Sequence, residues 1–164
     1  SIGDIAPHFT MKRMIDDYID RFYNPEAKRN SALGVRDYAK AKEIVAWKER
    51  VAAAWDGIKV FDVRQSGDLS QSSTGESFKV EAIVDTNGLG RDLGLEMVVY
   101  RQEDGEEHLI RTIDFKVVKE EGNVLTYELS NKLKDAGVFR YGFRLYPKNA
   151  DLPHRMDFAF SRWL

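Results

Sequence analysis

Near Gly57 the spacing of apolar residues changes from the period of a helix to the alternation of strands. No single regular element satisfies both patterns, so the chain reads as a helical segment followed by a β-rich one. Upstream, residues 9–23 place Met11, Met14, Ile15, Tyr18, Ile19, Phe22 and Tyr23 on one continuous stripe. Thr10 is a suitable N-cap. Asn24-Pro25 predicts the end of this helix, because the residue before a proline avoids helical backbone angles. A polar stretch follows. A second helix is predicted from Asp37 to Asp56, with Asp37 as its cap and Gly57 as its stop. Its apolar face carries Tyr38, Ala41, Ile44, Val45, Trp47, Val51, Ala54 and Trp55.

Downstream, strands are predicted at 58–65, 78–85, 93–102, 108–120, 124–130, 138–147 and 157–164, punctuated by Asn87-Gly88, Asp104-Gly105 and Gly122-Asn123. Residues 66–77 form a loop rich in Ser and Gly. The expected fold class is mixed and mainly β. A pair of N-terminal α-helices (residues 1–57) precedes an immunoglobulin-like antiparallel β-sandwich of about seven strands (residues 58–164). The run Asp135-Ala136-Gly137-Val138-Phe139-Arg140-Tyr141 resembles the corner that enters strand F of such sandwiches. Phe139 stands where the corner tyrosine would be and Tyr141 where the cysteine would be, so neither the corner hydrogen bond nor the disulfide is available. Period 2 puts Phe139, Tyr141 and Phe143 on one face, predicted to point between the sheets.

Composition narrows the class of partner. The chain has 164 residues, with 25 Lys+Arg against 27 Asp+Glu, and so lacks the basic excess of a nucleic-acid or anionic-membrane binder. No apolar run approaches the roughly 18 residues of a membrane span. Cysteine is absent, which excludes disulfides and thiolate chemistry and suits a reducing, cytoplasmic setting. The start SIGDIAPHF has neither a basic lead nor an initiator Met, which fits a fragment or a processed product.

The constellations that could carry chemistry read as structure. Gly88-Leu89-Gly90 with Gly94 follows a strand as a dinucleotide fingerprint does, but a strand comes next rather than the helix whose N-terminus would meet a pyrophosphate. Asp16 and Asp20 share a helix face with Asp17 nearby. Lys12–Asp16, Arg13–Asp17 and Asp17–Arg21 are all i, i+4 pairs, as on a solvated face. His8, His108 and His154 are scattered, with no metal-ligand spacing and no nucleophile elbow beside them. Trp163, Tyr100, Tyr127, Tyr141 and Tyr146 lie on predicted strands. They read either as core or as a row that could stack on sugar rings.

Beyond these patterns, Phe9-x-x-x-Arg13-Met14-Ile15-x-Asp17-Tyr18-Ile19-x-x-Phe22-Tyr23-x-Pro25 resembles the C-terminal end of bacterial α-glucan phosphorylases (glycogen, starch or maltodextrin phosphorylases), in the branch with an extra domain after the catalytic body. Ala46-Trp47-Lys48-x-x-Val51-x-x-x-Trp55 is similar to that branch's last helix. The run from Tyr141-Gly142-Phe143-Arg144 through Leu152-Pro153-His154-Arg155 to Arg162-Trp163-Leu164 is similar to its terminal sandwich. The resemblance implies a parent that cleaves α-1,4-glucan with phosphate to give glucose 1-phosphate, with pyridoxal phosphate on a lysine upstream of this chain. Met11-Lys12 lacks the small-residue context of that lysine, so Lys12 is not assigned the role.

The expectations are therefore no catalytic, cofactor-binding or metal-binding residue in this chain, and no cofactor of its own. The expected partners are the upstream catalytic body of the same polypeptide and a second copy meeting through residues 9–23. Weak α-glucan binding is the rival role, that of a tethering module. Neither nucleic acid nor membrane is expected.

Overall fold

The computed structural model describes residues 11–66, 77–103, 106–132 and 139–164. The corner at 135–137, most of the loop at 66–77, Asp104-Gly105, Thr10 and His8 lie outside them. The chain divides into two compact units, Ser1–Trp47 and Lys48–Leu164.

Helix α1 spans Met11–Tyr18, a π-helical turn follows at Ile19–Tyr23, and helix α2 spans Asn24–Ala54. Two α-helices are thus present among the described residues, but the second begins at Asn24 rather than near Asp37, and it follows the π turn directly. Pro25 sits inside a continuous helical run, directly after the π turn, whose wider backbone accommodates a ring that has no N–H to donate. The N–H of Asn24 reaches back five residues to the carbonyl of Ile19, the wide bond of a π turn. Ala27, Lys28 and Arg29 then favour helix rather than linker. The backbone is irregular at Tyr38, whose φ of 59° is left-handed, close to where a new helix start was expected. The described members of the stripe (Met14, Ile15, Tyr18, Ile19, Phe22 and Tyr23) are 40% to 67% exposed. No helix among the described residues is long and apolar enough to cross a membrane.

The second unit starts with the last residues of α2 and a 3-10 turn, Trp55–Gly57. Eight strands follow among the described residues: β1 (Lys59–Ser66), β2 (Ser77–Asp85), β3 (Leu93–Glu103), β4 (Glu106–Asp114), β5 (Lys116–Glu121), β6 (Val124–Lys132), β7 (Phe139–Pro147) and β8 (Arg162–Trp163). They make two antiparallel sheets with orders β1-β2-β6-β5 and β4-β3-β7-β8. The strand expected at 108–120 is two strands, because the chain changes sheets at Phe115. Alternation continues through Ile113, Phe115 and Val117, so period alone does not reveal the crossing. Of the last expected strand, 157–164, β8 alone pairs.

The core lies between the sheets. β2 contributes Phe78, Val80, Ala82 and Val84, and β6 contributes Leu125, Tyr127 and Leu129. Leu93, Leu95, Met97 and Val99 of β3 and Leu145 of β7 face them. The Tyr127 hydroxyl crosses the sandwich to donate to the carbonyl of Leu93 at 2.7 Å. Of the three aromatics expected between the sheets, Phe143 is buried, edge-on to Phe115 with ring centroids 5.7 Å apart. Tyr141 is half-buried and reaches Gln65 on β1 of the other sheet at 3.1 Å. Phe139, also half-buried, lies under the Arg101 guanidinium, so burial fades toward the start of β7.

Candidate functional site

Both faces of β3 are covered over residues 93–99. Alternation assigns Leu95 and Met97 to the core and Gly94, Glu96 and Val98 to the outer face. That outer face carries a connected set of charged contacts. Glu96 is 0% exposed, in the middle of the apolar run LGLEMVV. Its carboxylate accepts from Arg144 Nε at 2.8 Å and from the Arg144 Nη2 on β7. It also accepts from Arg155, which comes from the 3-10 turn Arg155–Asp157 of the C-terminal segment. Arg155 lies 3.4 Å from Asp114 of β4, and its guanidinium is stacked 4.6 Å from the centre of the Tyr146 ring. The Tyr146 hydroxyl donates to Asp114 at 3.1 Å. Burial, and then the Asp114 charge, hold the Tyr146 phenol well above its ordinary pKa.

Two carboxylates thus face two guanidinium groups. A buried carboxylate hydrogen-bonded by two guanidinium groups from different segments ties those segments together in one fixed geometry. Gly94 belongs to the same arrangement, because a β-carbon there would lie 2.5 Å from Tyr146 Cζ. Tyr146 therefore lies flat against the strand and presents its ring to Arg155.

The C-terminal segment also reaches the last turns of α2. Arg162 donates through Nη1 to the carbonyl of Ile58 at 2.9 Å and through Nη2 to that of Trp55 at 3.0 Å. These contacts place a cation at the C-terminal end of the helical run, where the helix dipole favours one. Trp55 is buried and meets Phe160 with centroids 5.3 Å apart. Lys48 donates to the carbonyl of Asp157 at 3.5 Å, and Arg50 pairs with Asp92. From the turn after β2, Asn87 Nδ2 donates to the neighbouring Ala54 carbonyl at 3.0 Å. Asn87 and Gly88 both take positive φ there. The glycines at 88–94 therefore shape a strand-to-strand connection.

Residues singled out in the sequence do not converge. Asp17 lies 4.0 Å from Arg13 on an exposed face, and Asp20 accepts from the Asn24 amide. The side chain of Lys12 is outside the described residues. His108 and His154 are exposed and lie on different segments. Among the described residues no group of three His, Cys, Asp or Glu could hold a metal ion. Tyr127 lies in the core, Tyr146 is buried on the outer face of β3 and β7, and Tyr100 is half-buried. Trp163 is 50% exposed, with its ring over Gly142 and the Arg144 guanidinium 5.3 Å from its centre. Glu96, Arg144, Arg155 and Arg162 escape sequence reasoning. The signal for them is the run LGLEMVV, whose second apolar face, at Val98, announces a strand covered on both sides.

The family described as Glycogen phosphorylase C-terminal domain matches residues 55–164, from Trp55 of the last helical turn through β8. The chain belongs to that family. It is 31% identical to maltodextrin phosphorylase of Thermococcus litoralis, over 99% of this chain and 19% of that protein. It is 23% identical to glycogen phosphorylase of Mycobacterium bovis and to that of Mycobacterium tuberculosis, over 91% of this chain and 18% of each. The chain thus spans about a fifth of the length of the relatives it matches. Pyridoxal phosphate, which such relatives imply, needs a lysine amine inside an enclosed site and backbone N–H groups for its phosphate. Among the described residues no lysine is buried. The described part of this phosphorylase domain does not fit the cofactor.

Proposed function

We propose that this chain is the non-catalytic C-terminal part of an α-glucan phosphorylase and that its role is structural. The parent reaction is phosphorolysis of α-1,4-glucan to glucose 1-phosphate, with pyridoxal phosphate held in the upstream catalytic body. In this reading residues 1–57 are the closing helices of that body and residues 58–164 are an appended immunoglobulin-like sandwich, in the cytoplasm. Strand order supports the sandwich type. Lettered along the chain with β4 as C′, the sheets are A-B-E-D and C′-C-F-G.

The observation that carries the reading is the clamp of residues 148–164. It joins Glu96 of the sandwich to Trp55 and Ile58 at the end of α2 through Arg155, Phe160 and Arg162. Such a clamp suits a domain that is held on its helix. The exposed stripe from Met14 to Tyr23 is the surface proposed to meet the upstream body. Assay of the isolated chain tests the catalytic half of the proposal. No glucose 1-phosphate should form from glucan and phosphate, and no Schiff base with pyridoxal phosphate should accumulate. Turnover or stoichiometric cofactor incorporation would refute it.

The second reading, a module that tethers the enzyme to glucan, is favoured by one observation, the half-exposed ring of Trp163 over Gly142. Titration with long maltodextrins, followed by NMR, separates the two. Saturable shifts centred on Trp163 support the tether, and their absence supports the structural role.

A further inference from the structure

β3 begins three residues before its pairing with β4, which starts at Glu96 opposite Asp114. Beside Leu93–Leu95 runs the segment that changes sheets, where the Phe115 N–H donates to the Leu95 carbonyl at 2.8 Å. A cleft of about 420 Å³ opens at this crossing. Small-molecule sites are typically about 300–1,000 Å³.

The lining has two characters. Leu95, Phe115 and Val117 give an apolar wall, with the ring of Tyr127, whose hydroxyl is already engaged by Leu93. Arg91, Lys116 and Lys148 come to the same cleft from three separate segments. Lys116 and Lys148 are exposed, and the carboxylates nearest them are engaged elsewhere, one of them by Arg91 itself. Glu128, opposite Lys116 across the β5–β6 pair, is bound by Lys79 at 2.9 Å. Glu120 is bound by Arg91 at 3.0 Å, Asp92 by Arg50, and Asp114 by Arg155 and Tyr146.

We propose that this cleft binds an organic anion. Its phosphate or carboxylate group meets Lys116 and Lys148, with Arg91 at the edge, and its apolar body lies along Phe115, Val117 and Tyr127. Charge alone would attract any anion weakly at an exposed rim, so the apolar wall is what selects an anion with a body. The assignment is independent of the structural role proposed above.

The test is an NMR titration of the 164-residue chain at constant ionic strength, with four probes: phenyl phosphate, benzoate, inorganic phosphate and phenol. The expected result is saturable shifts at Phe115–Val117 and Lys148 with phenyl phosphate or benzoate, and weaker binding of inorganic phosphate and phenol. The double variant Lys116→Ala/Lys148→Ala removes exposed side chains and should weaken the better anion about tenfold. Lys119→Ala, on the same strand and paired with Glu121, should leave it unchanged. If neither organic anion gives saturable shifts at these residues, the proposal is overturned. It is overturned equally if inorganic phosphate binds as well as the organic anions, or if the double variant binds as the parent chain does.

Discussion

Arg162 donates to the carbonyl of Trp55 at 3.0 Å across 107 residues of sequence. The last turn of the helical run is therefore closed by the penultimate strand residue of the chain's own C-terminal segment. Because Phe160 stacks on the same tryptophan, cap and packing act together. Arg162→Ala should cost about 1–3 kcal/mol, the range for charge-assisted bonds to backbone carbonyls near a helix end. Urea unfolding followed by tryptophan fluorescence measures this directly. An unchanged midpoint would show that the cap contributes nothing.

Glu96 is the residue whose loss should be felt most. Glu96→Gln leaves Arg144 and Arg155 facing each other without the charge that holds them. Breaking a buried pair in this way costs about 3–5 kcal/mol, a large share of a domain's typical 5–15 kcal/mol. Arg155→Ala should cost less, since Arg144 remains on the carboxylate and Arg155 is itself one-third exposed. The order of the two unfolding midpoints checks the assignment.

Gly94→Ala should destabilise by about 1–3 kcal/mol through overpacking against the Tyr146 ring. The cost should shrink in a Tyr146→Leu background, where no ring lies on the strand. A double-mutant cycle by chemical unfolding isolates that coupling, and purely additive effects would contradict the geometry.

Alkaline pH should unfold the sandwich. Burial is the first cause that holds the phenols of Tyr127 and Tyr146 above their ordinary value of 10.0. The unfolded chain then releases these protons at lower pH than the folded one. Stability is complete below pH 10 and falls as pH rises beyond it. In a spectrophotometric titration, two of the chain's seven tyrosines should ionise only together with loss of the folded signal.

The stripe of Met14, Ile15, Tyr18, Ile19, Phe22 and Tyr23 gives the isolated chain an apolar face exposed to water. Self-association through residues 9–23 is expected when the upstream body is missing, most simply as a twofold pair. Sedimentation at micromolar concentration should show a dimer. Ile15→Asp with Ile19→Asp should return it to monomer.

Much of this architecture is legible in the residues. Period 2 places β1, β2, β3, β6 and β7 to within two residues at each end, because one alternating face of each is apolar. The helical stripe is legible from its i, i+3, i+4 spacing. The start of α2 is not, because Asn24-Pro25 reads as a stop while the π turn just before it lets the helix run on past the proline. The split at Phe115 is hidden because a chain that changes sheets there keeps its alternation. The Glu96 cluster is hidden because its partners are 48 and 59 residues away, and alternation assigns a charged residue to solvent unless something covers it.

Deletion of residues 58–164 from the full-length phosphorylase tests the structural role most directly, with thermal stability, oligomeric state and KM for short and polymeric glucans measured side by side. The account predicts a lower Tm or altered assembly, with the ratio of the two KM values unchanged. An enzyme of unaltered Tm and assembly whose KM rises for polymeric glucan alone would contradict it and establish the tether instead.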